Sequence, residues 1–232
     1  METQNKVEGK RPLRFQYRIL FFILRTFFKL LYHQFAWTYD WVAAIVSLGL
    51  WQKWILSVIP YIDGLYVLEL GHGPGHLQAA LHRKGIASIG VDESPQMGKI
   101  AYRRLTRMGF TPRLVNGHGQ LIPFANECFH QVVATFPAEY ILDKRTIEEI
   151  YRVLIPGGTA ILLPLAWITG RKLLERLAAW LFYITGEAPS WNDRALEPIK
   201  KMGFEAWSEF IDLESSKILI IHMQKPSNAR IQ

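Results

Sequence analysis

The chain has a single cysteine, Cys128, among 232 residues, so no disulfide can close within it and a reducing, intracellular setting fits. Cys128 has no partner in the neighbouring sequence and reads as a small apolar residue rather than a nucleophile. Serine chemistry lacks a signal as well, because no Gly-x-Ser-x-Gly elbow occurs. Near the N-terminus a long uncharged apolar run is missing. Arg25 and Lys29 interrupt the stretch that begins at Phe15, well short of the about 20 apolar residues a spanning helix needs. With no small-residue cleavage site behind them, they also argue against a secretory signal; Glu2, Glu8 and a scarcity of serine argue against a mitochondrial transit peptide. The expected location is cytoplasmic. Basic charge is scarce beyond the N-terminus. Residues 1–35 carry seven basic side chains against Glu2 and Glu8, which is +5 of the total +7 and leaves +2 for the other 197 residues. That is too little for a nucleic-acid-binding face, so nucleic acid is not an expected partner.

What is present is apolar. Half of the residues are hydrophobic and a fifth charged, enough to bury a sizeable interior. The length suits one α/β domain with a modest extension. In the aromatic stretch 15–37 and just before it, Arg14, Arg18, Arg25 and Lys29 fall within about 60° of one another on a helix, leaving the rest of the circumference apolar. Such a stripe suits an interfacial helix, with residues 11–37 meeting an anionic membrane surface at the inner face of the membrane. The alternative, which does not exclude it, is a helix that packs on the domain or on a second subunit. A second helical pattern, Trp41, Ala44, Ile45, Leu48, Trp51 and Ile55, breaks near Gly49 and ends around Pro60. Residues 1–60 thus form an N-terminal helical extension.

From there the rhythm changes to strands alternating with helices, the pattern of a parallel sheet. Strands are expected over 66–70, 86–91, 112–115, 131–136 and 159–163, and helices over 75–84, 95–108 and 144–154, giving four βα-type units. An added apolar helix over 170–186 follows, then a helix over 193–202. Strands over 204–213 and 218–224, joined by the short Glu214-Ser215-Ser216 link, must be antiparallel neighbours. The expectation is one α/β core over 61–226, a mostly parallel seven-stranded sheet ending in an antiparallel hairpin.

The chemistry-bearing residues sit at strand ends. Glu69-Leu70-Gly71-His72-Gly73-Pro74-Gly75 follows an apolar strand and opens a helix, where glycines let a ligand approach the backbone and helix amides face an anion. A nicotinamide or flavin site needs a third glycine where this chain has His76, so an oxidoreductase is disfavoured. The next strand ends at Asp92, 21 residues after Gly71, where a carboxylate can accept both hydroxyls of a ribose. His72 and His76 flank Gly-Pro-Gly rather than sharing a helix face, a poor arrangement for zinc; no metal is expected.

In order along the chain, the glycine turn, 91–97 (VDESPQM), 117–124 (GHGQLIPF), 129–133 (FHQVV) and 149–158 (EIYRVLIPGG) resemble the type 11 group of class I S-adenosylmethionine-dependent methyltransferases over about residues 60–165. The resemblance implies a Rossmann-like fold with S-adenosyl-L-methionine as cofactor. Carried over by position, Gly71 and Gly73 would run under the methionine part, Asp92 would hold the ribose, and Glu93 and Met97 would border the adenine; Glu69, His72, Gly75, His118 and Gly119 complete the expected cofactor-binding set. Phe136 would line the sulfonium side. Where the group has Gly-Asp-Ala this chain has Gly117-His118-Gly119; the aspartate that would contact the adenine amino group is missing, and His118 could accept the same hydrogen bond only through an unprotonated ring nitrogen. More loosely, 35–40 with 47–49 and Trp54 is similar to the entry segment of ubiquinone and menaquinone C-methyltransferases, which makes Tyr39 a candidate cofactor contact or an aromatic packed in a helix corner.

Methyl transfer from a sulfonium asks the protein mainly for alignment and exclusion of water, so no loud catalytic motif is expected. Glu139 and Tyr140 are candidate proton acceptors or orienters, or else pack the next helix. Thr135-Phe136-Pro137-Ala138 replaces the Asn/Asp-Pro-Pro-aromatic string of amine methyltransferases acting on bases or glutamine. The expected acceptor is a small hydrophobic molecule, quinone-, isoprenoid- or lipid-like. The competing reading is a membrane-associated binding or scaffold protein that keeps the fold with impaired cofactor binding.

Overall fold

The computed structural model describes residues 47–136, 139–170 and 191–227, with Ala44. Tyr39, the stripe over 11–37 and the apolar helix expected over 170–186 lie outside the described residues. Helix α1 (Trp51–Leu56) follows a turn in which Leu48 (φ +52°) and Gly49 (φ +81°) are left-handed, the break expected near Gly49. The chain then makes a 3-10 turn, Ile59–Tyr61, that accommodates Pro60.

The core elements are β1 (Tyr66–Leu70), α2 (His76–Arg83), β2 (Ala87–Asp92), α3 (Pro95–Arg107), β3 (Leu114–Asn116) and β4 (Phe129–Thr135). After a 3-10 turn (Glu139–Leu142) come α4 (Lys144–Val153), β5 (Leu154–Ile168), α5 (Glu197–Lys201), β6 (Glu205–Leu213) and β7 (Ser216–Gln224). They build a seven-stranded sheet of order β3-β2-β1-β4-β5-β7-β6. The first five strands pair in parallel, and β7 is antiparallel to both β5 and β6. This is the expected α/β sheet with its closing hairpin.

Strand pleating divides the apolar residues between two layers. Leu68, Leu70, Val132, Ala134, Leu162, Leu219 and Ile221 pack with Ile147 and Ile150 of α4 on one face. Val67, Val133, Ile161, Leu163, Ile218 and Ile220 pack with Trp54 and Ile55 of α1 and Leu77 and Leu81 of α2 on the other. Each such side chain contributes about 1.5–3 kcal/mol on burial, so both layers are needed to hold the sheet.

Three elements differ from expectation. β5 begins at Leu154, directly on the end of α4, and absorbs Pro156-Gly157-Gly158 as a register shift in its pairing with β4. β3 passes to β4 through a loop without a helix, so the three helices expected between strands make three βα units rather than four. The Arg152 guanidinium holds that loop, donating to Ile122 O (2.9 Å) and Phe124 O (2.8 Å), while Glu149 accepts from Ile122 N at 2.7 Å. The helix expected over 193–202 splits into a 3-10 turn, Asp193–Leu196, and α5, because Pro198 has no N–H to continue an α-helix.

The chain runs outward from β1 through β2 to β3, then returns to β4 on the other side of β1. The crevice at the carboxyl ends of β1, β2 and β4 is therefore a topological switch point, where sheets of this kind bind ligands.

Candidate functional site

The glycine turn lies at that switch point. Gly71 N donates to Val91 O at 2.7 Å, which folds the turn against the end of β2. Gly71 (φ +72°) and Gly73 (φ +50°) both adopt backbone that L side chains avoid. A Cβ on Gly73 would meet nothing within 4 Å, so that side of the turn is open to a ligand. Arg104 of α3 donates to Pro74 O at 2.7 Å and fixes the turn from behind. Gly75 is the left-handed residue (φ +82°) that precedes α2, the end of a helix that favours an anion.

Asp92 ties the loops together. It is 3% exposed; one carboxylate oxygen accepts from Gly73 N and the other from Ser94 N, each at 2.8 Å. Asn116 at the end of β3 donates to Asp92 O (2.9 Å) and Glu93 O (3.0 Å).

Glu69 is buried beneath the turn and accepts from Gln78 Nε2 at 2.8 Å; Gln78 in turn accepts from Ser88 at 3.0 Å. Burial pushes the Glu69 carboxyl up to about 8, opposed by the Gln78 hydrogen bond and reinforced by the charge of Asp92. At neutral pH it is mostly a neutral acid. His72 is also buried, and its ring lies over Gly90, where a Cβ would come within 2.9 Å of it. Its Nδ1 is 2.7 Å from Gly73 O, and since a carbonyl only accepts, Nδ1 carries the hydrogen. Burial lowers its pKa, with Asp92 pulling the other way.

Glu93 and His118 meet across the top of the crevice, Oε2 to Nδ1 at 3.3 Å. Met97 does not join them. It is fully buried, with its amide on the helix-capping Ser94 at 3.3 Å.

On the other side stands an aromatic wall that sequence reading only half found. Phe136 holds the left-handed φ of +46° and its ring stacks on Trp51 at 4.4 Å between centroids, with Trp54 at 5.9 Å. α1 is pinned there by three bonds: Trp54 Nε1 to Ser216 Oγ at 2.8 Å, Trp51 N to Ser47 Oγ at 3.0 Å, and Gln52 to His76 at 3.3 Å. The aromatic density of 35–54 signals such a wall, but its spacing points to Tyr39 and Trp54 and not to Trp51.

Tyr140 faces the glycine turn. Its hydroxyl oxygen lies 3.0 Å from where a Cβ on Gly71 would stand, and its ring 2.8 Å from one on Gly119. Burial raises its pKa, followed by the charges of Asp92, Glu93 and Glu69, so the phenol keeps its proton and can orient or donate rather than accept. Of Glu139 the backbone alone is described, in the same 3-10 turn.

The residues fit S-adenosylmethionine at two of its three parts: an open glycine turn with helix amides for the amino-acid carboxylate, and Asp92 for the ribose. At the adenine end Glu93 and His118 are in place, but Tyr140 stands between them and the turn. Among the described residues no cluster of three or more His, Cys, Asp or Glu is arranged to hold a metal ion, and no helix is long and apolar enough to cross a membrane.

Comparison with known proteins agrees with this geometry. A family profile described as a methyltransferase domain matches residues 67–158. Demethylmenaquinone methyltransferase from Lactiplantibacillus plantarum is 30% identical over 161 residues, covering 66% of this chain and 68% of that protein. The chain belongs to the class I S-adenosylmethionine-dependent methyltransferase family. The ubiquinone/menaquinone biosynthesis C-methyltransferase UbiE of Legionella pneumophila (strain Corby) is 30% identical over 142 residues, 57% of this chain and 56% of that protein; the chain thus spans little more than half of that relative's length. A solved S-adenosylmethionine-dependent methyltransferase from Methanosarcina mazei superposes with a TM-score of 0.55 at 21% identity, covering 73% of this chain and 97% of that one, a likeness of fold.

Proposed function

We propose that this protein transfers the methyl group of S-adenosylmethionine to a small apolar acceptor, quinone-, isoprenoid- or lipid-like. The observation that carries the reading is the bonding of Asp92 to Gly73 and Ser94. It sets an amino-acid cradle and a sugar-binding carboxylate side by side at the switch point. The cofactor supplies an activated methyl on a sulfonium with a good leaving group. The protein's share is placement. The turn and Asp92 fix the donor, while Trp51 and Phe136 present aromatic faces to the region of the sulfonium and shield it from water. Neutral Glu69 and protonated Tyr140 add no strong base, which suits an acceptor whose own acidity or electron-rich carbon supplies the nucleophile.

The apolar acceptor is supported by that aromatic wall and by relatives whose names specify quinone methylation. An approach to an anionic membrane through residues 11–37 would give access to such an acceptor. Incubation with methyl-labelled cofactor and a lipid extract tests the reading, and label in an isoprenoid or quinone fraction is the expected result. Label confined to polar small molecules or to protein refutes the acceptor class. Calorimetry that finds neither S-adenosylmethionine nor S-adenosylhomocysteine bound to folded protein refutes the enzyme and leaves the scaffold reading.

A further inference from the structure

We propose that Tyr140 gates the cofactor cleft, its ring standing where the adenosine goes so that the nucleoside binds by displacing it. The inference rests on the methyltransferase reading and extends it to how the cofactor enters. The ring spans from Gly71 to Gly119, the two positions where a side chain would strike it, at 3.0 and 2.8 Å from an added Cβ. It closes the cleft bordered by Asp92, Glu93 and Gly117 to a cavity of about 10 Å³. That is about the room of one water, where a ligand of this size needs a pocket of roughly 300 Å³ or more.

The backbone beneath the ring is well anchored, which makes the side chain the part that moves. Ile141 is 2% exposed in the core, Asp143 N donates to Tyr140 O at 3.0 Å, and α4 starts immediately after. The closed arrangement also carries a polar cost. Thr146, whose methyl lies 3.2 Å from the Gly119 Cβ position, is fully buried with no hydrogen-bond partner for its hydroxyl.

A second space adjoins Asp92. On its α3 side lies a cavity of about 380 Å³, rimmed by Lys99, Tyr102 and Arg103 with His72 and Ser94 at its floor. It includes neither Glu93 nor the Gly117-His118-Gly119 loop, so a nucleoside lodged there would leave Tyr140 untouched. The two placements therefore predict different behaviour.

The experiment is stopped-flow tryptophan fluorescence with S-adenosylhomocysteine, Trp51 lying beside the turn, paired with calorimetric affinity. If ring opening limits entry, the observed rate in the native protein saturates with ligand concentration. It becomes linear in Tyr140→Ala, whose affinity rises by about tenfold if the open form is a tenth of the population. Tyr140→Phe, which keeps the ring, retains saturation and controls for folding, as does a melting curve of each variant. Equal slopes and equal affinities in native protein and Tyr140→Ala overturn the gate while leaving the methyltransferase reading intact. Loss of binding in Lys99→Ala/Arg103→Ala with Tyr140→Ala unchanged overturns it in favour of the second cavity. Folded variants that all fail to bind defeat the gate and the reading beneath it together.

Discussion

Glu69 allows the sharpest test of the electrostatics beneath the glycine turn. Its carboxyl titrates at about 8 in the folded protein against 4.5 when free. Between those values the folded state holds a proton that the unfolded state has lost, so unfolding releases it and a rise in pH favours unfolding. The stabilising contribution is complete below about pH 4.5 and is lost as pH climbs toward 8, at up to about 1.4 kcal/mol per pH unit. Glu69→Gln keeps an oxygen to accept from Gln78 but cannot ionise, so this contribution to the slope disappears. Urea unfolding of both proteins at pH 5.5, 6.5 and 7.5 should show the variant gaining on the native protein by about 1 kcal/mol per unit. Other groups titrate alike in the two proteins and cancel in the difference. Parallel stability curves would mean that the carboxylate is solvated or already ionised, and the burial argument would fall.

Removing the Asp92 carboxylate as Asp92→Ala frees the amides of Gly73 and Ser94 at once, and calorimetry should find S-adenosylhomocysteine affinity reduced at least tenfold, on the order of one charged hydrogen bond or more. Trp51→Ala should weaken S-adenosylmethionine by about 2- to 30-fold while leaving S-adenosylhomocysteine, whose sulfur is a neutral thioether, nearly unaffected, since a ring face favours the sulfonium; equal losses for both would reduce Trp51 to packing. Deleting residues 1–35, which hold +5 of the net charge, should abolish salt-sensitive pelleting with anionic vesicles, and undiminished pelleting would dispose of the membrane role.

The sheet was legible because its signals are local. Tyr66–Leu70 is an apolar run ended by glycine, and Ser94-Pro95 starts a helix whose cap and first turn need no distant partner. The strings shared with the type 11 group prove in part structural: Glu149 and Arg152 serve as clamps on the β3–β4 loop rather than as site residues. What escaped was long-range. Met97 has the spacing of an adenine neighbour, yet an apolar side chain on the inner face of a helix goes to the core. The extent of β5 across Pro156-Gly157-Gly158 depends on Lys225, just past β7, whose carbonyl accepts from Gly157 N and whose amide donates to Gly158 O, each at 2.9 Å. Trp51 matters only because α1 is pinned to Ser216 through Trp54, and nothing in the spacing of an aromatic segment selects which ring will face the site.

Gly119 shows how one residue's meaning changes with its neighbour. As sequence, it is a departure from the Gly-Asp-Ala of the type 11 group, and the lost aspartate argues for weaker binding. In the structure, the absence of a Cβ there leaves room for one edge of the Tyr140 ring against the loop, and His118 pairs with Glu93 at 3.3 Å. The two changes are coupled: an alanine at 119 would push the ring out and hold the cleft open. Gly119→Ala should therefore mimic Tyr140→Ala in cofactor association while retaining the phenol, which separates the ring's position from its chemistry.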